Sequence, residues 1–262
     1  MPSLQNTLTV STLNDFHTAL ANYSAYMWRG VSSSEYELVP KVAREWHQDS
    51  GTLVVSESSM LEQFKVRAMP FLSQRPANEW EWLALGQHYG LPTRLLDWTR
   101  NPLVALYFAC IDNSQSNGAV YFATRFNEID PAEQKDPFSL LDVRAWHPMQ
   151  IDRRMSVQDG IFSVTPNPLQ PITENIILKA IVEAKAKTDL LRTLRLFGIH
   201  HAHIFPGLEG AARYVAEEYF YFRGFKGDLK QLLEETFPHL LKEEIAKKAD
   251  LAKSAQNLAS KS

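Results

Sequence analysis

Apolar residues recur at a helical spacing in some segments of the chain, and short apolar runs bounded by glycine, proline or polar residues lie between them. The helical spacing predicts helices over Ser11–Tyr23, Ser58–Phe71, Asn78–Tyr89, Ala184–Phe197 and Gly210–Phe222. The short runs predict extended segments at Tyr26–Gly30, Arg94–Trp98, Gly118–Thr124, Gly160–Val164, Ile176–Glu183 and Ile199–Phe205. This order of elements indicates an α+β fold, in which a twisted and mostly antiparallel sheet is surrounded by helices.

The last part of the chain has a different composition. Residues 226–262 are rich in Lys, Glu, Ala and Leu in an amphipathic pattern, and they end in a small, polar tail. We therefore expect an α+β domain over residues 1–225 and a helical C-terminal extension over residues 226–262 with a frayed end. The apolar face of such an extension packs either on its own domain or on a second copy of the chain, so a homo-oligomer formed through these helices is one expectation.

The composition is that of a globular protein, with 45% hydrophobic and 22% charged residues. The net charge of -3 gives no overall basis for binding nucleic acid or a membrane surface. No apolar run approaches the roughly 20 residues of a membrane-spanning helix. Cys110 is the only cysteine, which excludes a disulfide within the chain, and we expect it to be a packing residue. With no signal-peptide pattern, these features predict a cytoplasmic protein without a membrane partner.

Many polar side chains lie between two apolar patterns in the segment Gly86–Cys110. A core segment does not carry that many hydrogen-bonding groups unless they satisfy one another or meet a ligand. Gly90 and Pro92 predict a turn after one helix, and Asn101 with Pro102 predict the start of the next. The polar residues therefore lie where a strand leads into a helix, which is a common place for binding groups.

Arg29 stands inside an apolar strand, where a charge is costly unless it is paired or belongs to a site. Its guanidinium is either an anion clamp for phosphate or carboxylate, or the partner of Asp97 or a glutamate in an ion pair. Gly30 follows it and allows the close approach of a ligand or of another backbone segment.

The polar segments supply a set of candidate ligand-binding residues: Gly30, Gln87, His88, Thr93, Arg94, Asp97, Trp98, Thr99 and Gln158. Several of them also have structural interpretations. Asp97 orients Arg94 or Arg29, or accepts a hydrogen bond from His88. Trp98 either stacks on a base or fills the core. Gln158 either contacts the edge of a base or an amide, or belongs to a turn.

Two further groups of residues suggest chemistry near the end of the domain. His200, His201 and His203 lack a convincing set of metal-binding partners, so we expect no metal site. Glu209 lies near a predicted helix N-terminus, where the helix dipole favours a carboxylate. Its functional interpretation is a catalytic carboxylate that enters a cleft.

A series of short motifs runs through the chain in a fixed order. They are Trp28-Arg29-Gly30, a helix with Leu61, Phe64 and Ala68, the block Tyr89–Thr99, Asn101-Pro102, Gln158-x-Gly160-x-Phe162, and the segment from Leu194 to Gly210. This series resembles the FRG domain, a bacterial and phage-associated family named for a Phe-Arg-Gly motif. The resemblance covers about residues 24–215.

The same residues are distantly similar to Arg-Ser-Glu type ADP-ribosyltransferases. That similarity implies that Arg29 holds the phosphates of NAD and that Asp97-Trp98-Thr99 braces the site. It also implies a later carboxylate that engages the nicotinamide ribose, for which Glu209, Glu217 and Glu218 are the candidates. A carboxylate suits this chemistry, because departure of nicotinamide leaves an oxocarbenium-like centre.

The leading hypothesis is an NAD-dependent ADP-ribosyltransferase-like toxin or anti-phage effector. It would modify a protein or nucleic-acid acceptor, and an antitoxin or another protein would be its partner. The alternative is a non-catalytic module that binds a ligand, in which Arg29 and Asp97 form a structural pair. A nucleic-acid-binding module that uses Arg94, Arg100, His88 and Trp98 remains a third possibility.

Overall fold

The computed structural model describes residues 6–46, 50–112, 115–148 and 157–223. The chain divides into two compact units, and the boundary falls between Pro206 and Gly207. The predicted helical extension at residues 226–262 lies outside the described residues, and the division of the chain at residue 225 stays a prediction.

The first unit is built on a mixed sheet, which has eight strands in the described part of the chain. In chain order they are β1 (Thr7–Val10), β2 (Met27–Val31), β3 (Leu95–Thr99), β4 (Gly118–Ala123), β5 (Asn127–Glu128), β6 (Arg144–Trp146), β7 (Gly160–Val164) and β8 (Ile176–Val182). Across the sheet the order is β1-β8-β4-β2-β3-β7-β6-β5. The pairs at the two edges, β1 with β8 and β5 with β6, are parallel, and the five pairs between them are antiparallel. The predicted α+β fold with a mostly antiparallel sheet is confirmed.

The helices of the first unit pack around this sheet. They are α1 (Leu13–Asn22), α2 (Lys41–Glu45), α3 (Ser50–Ala68), α4 (Glu79–His88), α5 (Pro102–Cys110), α6 (Lys187–Leu196) and α7 (His201–Ile204), with 3-10 turns at Met69–Phe71 and Ala184–Ala186. Helix α8 (Leu208–Arg223) belongs to the second unit. The predicted helix start at Asn101 is confirmed, since its side chain accepts the backbone N–H of Leu103. Asn78 caps α4 in the same way, accepting the backbone N–H of Glu81.

Two sequence predictions about these elements were wrong. Helix α3 begins at Ser50 and not at Ser58, because the serine-containing segment before Ser58 is helical. Residues Ile199–Phe205 were expected to be extended, but α7 lies within them. His200 caps this short helix, with its Nδ1 accepting the backbone N–H of His203 at 3.2 Å. His201 and His203 therefore lie in a helix and not in an extended segment.

Helix α5 contacts strand β2 at Gly30 without an intervening side chain. A Cβ atom added to Gly30 would lie 1.8 Å from the carbonyl oxygen of Ala105 and 2.8 Å from the backbone nitrogen of Ala109. The glycine next to Arg29 is therefore required for the approach of another backbone segment, which was one of the two alternatives drawn from the sequence. This contact fixes β2 against the helix that follows β3.

A buried ion pair connects α3 to the start of β3. The side chains of Arg94 and Glu57 are 0% and 1% exposed, and Nη2 of Arg94 lies 2.9 Å from Oε2 of Glu57. The Glu57 carboxylate also accepts the backbone N–H of Arg94 at 2.7 Å and its Nε–H at 3.0 Å. Burial raises the pKa of Glu57 by more than the charge and hydrogen bonds of Arg94 lower it. This carboxylate therefore depends on its partner to remain ionised.

We expect the substitution Glu57→Gln to destabilise the protein by about 3–5 kcal/mol, because it leaves the buried guanidinium of Arg94 without a counter-charge. Urea denaturation followed by circular dichroism measures this change. Glu62→Gln is the matched control on the same helix, since the Glu62 side chain is 65% exposed and pairs with Lys65 at the surface. It should change the free energy of unfolding by less than about 1 kcal/mol. Equal effects of the two substitutions would contradict the role assigned to the pair.

We also expect Gly30→Ala to destabilise the protein by at least the upper end of the roughly 1–3 kcal/mol typical of overpacking, since the added methyl group meets backbone atoms. Gly160→Ala is the control, because its Cβ would have no atom within 4 Å. Thermal unfolding of both variants tests the constraint. A Gly30→Ala variant as stable as Gly160→Ala would show that α5 does not press on β2.

Candidate functional site

Strands β2 and β3 form a cleft because their pairing is limited to one position. Trp28 is in register with Thr99, and no further residues of the two strands are paired. Nη1 of Arg29 donates to the backbone carbonyl oxygen of Asp97 at 2.5 Å and lies 3.7 Å from Oδ2 of the Asp97 carboxylate. The guanidinium of Arg29 therefore bridges the two strands where backbone pairing has stopped.

One half of the cleft is lined by three cationic side chains, and we call it the cationic chamber. Arg29 from β2 and Lys41 and Arg44 from α2 surround it, together with Gln87, His88, Asp97, Trp98 and Gln158. Asp97 is the single carboxylate among its described lining residues. The cations therefore outnumber the carboxylates in this chamber, which favours an anionic ligand.

The three cations of this chamber have different surroundings. Lys41 donates to the carbonyl oxygen of Gly90 at 3.0 Å and lies 3.7 Å from Glu45. Arg44 is exposed, and its side chain has no hydrogen-bond or ion-pair partner within the described ranges. Burial lowers the pKa of Arg29, the negative charge of Asp97 raises it and the positive charge of Arg44 lowers it. Arginine remains protonated under such influences, so the chamber keeps its positive charge at neutral pH.

The other half of the cleft has the aromatic side chains of Trp28, Trp98 and Phe108 in its lining, and we call it the aromatic chamber. Its wall includes Trp28, Phe108, Gly30 and Thr99. It shares four lining residues with the cationic chamber, namely Arg29, Asp97, Trp98 and Gln158. The two chambers therefore meet at Arg29 and Asp97. Each has a cavity volume of about 230 Å³, and a cavity of about 150 Å³ is already large enough to hold a benzene ring.

The carboxylate of Asp97 is held by a chain of hydrogen bonds from Gln87 of α4 and from Thr93, which lies just before β3. Thr93 donates its hydroxyl hydrogen to Oε1 of Gln87, and Nε2 of Gln87 donates to Oδ1 of Asp97 at 2.8 Å. Thr93 is fully buried, whereas the side chain of Asp97 is 64% exposed. A fixed amide donor therefore orients one carboxylate oxygen while the group remains accessible from the cleft.

Gln158 is placed at the cleft by a turn that leads into β7. Its backbone carbonyl accepts the hydroxyl hydrogen of Thr99 at 2.5 Å, and its side-chain Nε2 donates to the carbonyl oxygen of Ile204 at 3.1 Å. Asp159 follows in a left-handed conformation with φ 44°, and Arg100 binds its carboxylate at 2.6 Å. A non-glycine residue in that conformation is strained, so contacts around it hold the turn in place.

The structure brings most of the predicted site residues together. The residues that line one or both chambers are Arg29, Gly30, Gln87, His88, Asp97, Trp98, Thr99 and Gln158. Trp98 also belongs to the core, since it is 3% exposed and its Nε1 donates to Oγ of Ser163 at 2.8 Å. Thr93 lies behind Gln87, and Arg94 is in the core with Glu57. Glu209 is in the first turn of α8, in the second unit.

Several residues of the cleft were not selected from the sequence. Lys41 and Arg44 are three residues apart after Pro40, a spacing that puts both on one face of a short helix. That spacing, with its two positive charges, is the signal from which they could have been found. Trp28 and Phe108 carry no such signal, because an aromatic residue in an apolar segment is typical of any core.

The histidine cluster and the cysteine have structural surroundings. The hydroxyl of Tyr107 and Nδ1 of His201 are 2.9 Å apart in the interior, and the ring of His201 stacks on Phe205. The described residues contain no group of three His, Cys, Asp or Glu that could hold a metal ion. Burial raises the pKa of Cys110 to about 12, so its thiol is protonated at neutral pH and is a poor nucleophile.

Within the described ranges, no helix has both the length and the apolar character needed to cross a bilayer.

One comparison with known proteins found a match, and it covers much of the chain that forms this cleft. Residues 24–118 match a family model described as the FRG domain. No curated protein and no solved structure matches the chain. The matched residues include β2, α2, α4, β3 and α5, which supply both cationic side chains of α2, Arg29 and Asp97. The part of the chain that forms most of the cleft is therefore the part that matches the FRG-domain model.

Proposed function

We propose that the protein is an NAD-dependent ADP-ribosyltransferase-like enzyme that binds NAD in the cleft between β2 and β3. NAD is the substrate in this proposal, and its ADP-ribose unit passes to a protein or nucleic-acid acceptor. As part of the same proposal the protein acts as a toxin or anti-phage effector, the role that its resemblance to the FRG family implies.

The observation that carries the proposal is the charge of the cationic chamber. Arg29, Lys41 and Arg44 face a volume whose described lining offers Asp97 as its single carboxylate. A dinucleotide presents a diphosphate with two negative charges, and guanidinium groups match phosphate oxygens through paired N–H donors. Arg44 is the clearest candidate for a ligand contact, because no described residue engages its side chain.

The shape of the cleft also suits a dinucleotide. The cationic chamber shares four lining residues with the aromatic chamber, which has Trp28 and Phe108 in its wall. Flat heterocycles bind against aromatic side chains, whereas phosphates do not. A ligand that carries a diphosphate and a ring at opposite sides of a ribose would therefore match both chambers.

The non-catalytic alternative also draws on a specific contact. The shortest hydrogen bond of Arg29 is to the backbone of Asp97, and this bond connects two strands. A purely structural Arg29 would explain it without a ligand. It would not explain Arg44, which faces the same chamber without a partner among the described residues. The nucleic-acid alternative loses Arg94, which is buried, and finds Arg100 already paired with Asp159.

The test is to measure NAD binding by isothermal titration calorimetry and nicotinamide release by chromatography, using the full chain. We expect Arg44→Gln to raise the Kd for NAD about threefold to tenfold with an unchanged melting temperature, since its side chain supports no internal contact. Arg29→Gln should raise the Kd about thirtyfold or more, the effect of losing a charged hydrogen bond to phosphate. Arg67→Gln is the control, because Arg67 is an exposed arginine on α3 that does not line the cleft.

Transfer of label from NAD to components of a bacterial lysate then tests the enzymatic part. Label transferred by the wild type and not by a folded Arg29→Gln variant supports the transferase. Equal Kd values for wild type, Arg44→Gln and Arg67→Gln would place any NAD binding outside this cleft. A wild-type protein that neither binds NAD nor releases nicotinamide would refute the proposal.

A further inference from the structure

The carboxylate needed for cleavage of the glycosidic bond is the open question of the proposed function. Sequence similarity points to Glu209, which lies in the second unit of the chain. Both chambers of the cleft belong to the first unit, and Asp97 is the one carboxylate among their described lining residues.

We propose that Asp97 is the catalytic carboxylate, and that it acts at the ribose carbon bonded to the nicotinamide ring. This inference rests on the proposed function of the cleft. It concerns which residue of this chain carries the chemistry and where along the cleft the reaction takes place.

The position of Asp97 is the first argument. It lines both chambers, together with Arg29, at the point where they meet. If the diphosphate lies among Arg29, Lys41 and Arg44 and the heterocycle lies beside Trp28 and Phe108, the ribose between them passes this meeting point. The glycosidic bond is then next to the Asp97 carboxylate.

The backbone of Asp97, and not its carboxylate, is the nearer partner of Arg29. The guanidinium is anchored 2.5 Å from the backbone carbonyl oxygen of Asp97, whereas the carboxylate oxygen Oδ2 is 3.7 Å away. The backbone anchor would remain with any side chain at position 97. The carboxylate is 64% exposed and is oriented at Oδ1 by Gln87 at 2.8 Å. A charged group held in one orientation and left open is suited to act on a ligand.

The step balances with NAD and an acceptor alone. The bond between the ribose carbon and the ring nitrogen breaks, and its electron pair goes to the nitrogen, so that neutral nicotinamide leaves. The positive charge that develops on the ribose is stabilised by the negative carboxylate of Asp97. The acceptor, a nucleophilic group or water, forms the new bond to this carbon, and its proton passes to Asp97 or to solvent.

The experiment compares Asp97→Asn with the wild type in binding and in turnover. The amide keeps the shape of the side chain and an oxygen for Gln87, but it removes the charge. We expect nicotinamide release to fall at least about a hundredfold, the usual loss when a group that stabilises transition-state charge is removed. The Kd for NAD should stay the same or decrease, because a negative charge has left an anion-binding cleft. Asp189→Asn, an exposed carboxylate on α6, is the control and should release nicotinamide at the wild-type rate.

A catalytic Asp97 predicts that Asp97→Asn releases nicotinamide more slowly while its Kd for NAD stays the same or decreases. A structural Asp97 predicts weaker NAD binding and a lower melting temperature in Asp97→Asn, and that result would overturn the inference. Asp97→Ala keeps the backbone carbonyl that binds Arg29 and is measured as well. The test of the catalytic role then does not depend on the folding of Asp97→Asn alone. The charge is lost in both variants, so both should lose nicotinamide release.

Glu209→Gln is the competing variant. Release that persists in Asp97→Asn and disappears in Glu209→Gln would assign the carboxylate to the second unit and refute Asp97. The wild-type measurements separate this failure from that of the proposed function. If the wild type binds NAD and releases nicotinamide but Asp97→Asn does so equally well, only the role of Asp97 is rejected. If the wild type does neither, the transferase itself is rejected.

Discussion

The cleft depends on the limited pairing of β2 with β3. These two central strands share the single register pair Trp28 and Thr99, although each is fully paired on its other side, β2 with β4 and β3 with β7. The divergence leaves a backbone carbonyl at Asp97 that the guanidinium of Arg29 binds from the opposite strand. Because backbone polar groups require partners, the guanidinium of Arg29 satisfies this carbonyl where strand pairing has stopped. It also brings a positive charge to that place in the sheet.

The motif residues of the segment that matches the FRG-domain model, residues 24–118, are of two kinds. Some build the cleft, and others face it. Arg94, although it belongs to the most polar part of the sequence, is buried against Glu57 and secures the start of β3. Thr93 and Asn101 hold neighbouring groups, through Gln87 and through the cap of α5. A polar residue close in sequence to a site is thus frequently one layer behind it, since a carboxylate or guanidinium in a cleft needs polar support.

The sequence predicted the fold class and nearly all of the longer elements, because their apolar spacing and their caps are local signals. The errors have local physical causes. Helix α7 has four residues and is capped by a histidine, so it offers neither periodicity nor a usual capping residue. The start of α3 at Ser50 was not predicted, because the serines before Ser58 are typical of a loop. Glu57 lies four residues before Leu61 and so shares its apolar face, and a carboxylate there indicates a buried partner such as Arg94.

Of the candidate residues at Arg29 and along Thr93–Thr99, the structure places Arg29, Asp97, Trp98 and Thr99 in the lining of the chambers. Lys41 and Arg44, which also line the cationic chamber, were not selected from the sequence. A sequence does not show which distant segments meet. Helix α2 lines the cleft because the tertiary fold brings it there. The place of Asp97 in the lining of both chambers is likewise visible only in the structure.

The backbone contact between Gly30 and Ala105 has a consequence for how the cleft selects its ligands. Strand β2 carries Arg29 and is in direct backbone contact with α5, and α5 begins three residues after the end of β3. Strand β2 cannot move closer to α5 without a collision of main-chain atoms, which yield far less than side chains do. The side of the gap that carries Arg29 is therefore preorganised against α5, and less conformational entropy is lost there on binding. Molecules too wide for the gap are excluded at the entrance, so discrimination by size precedes any chemistry.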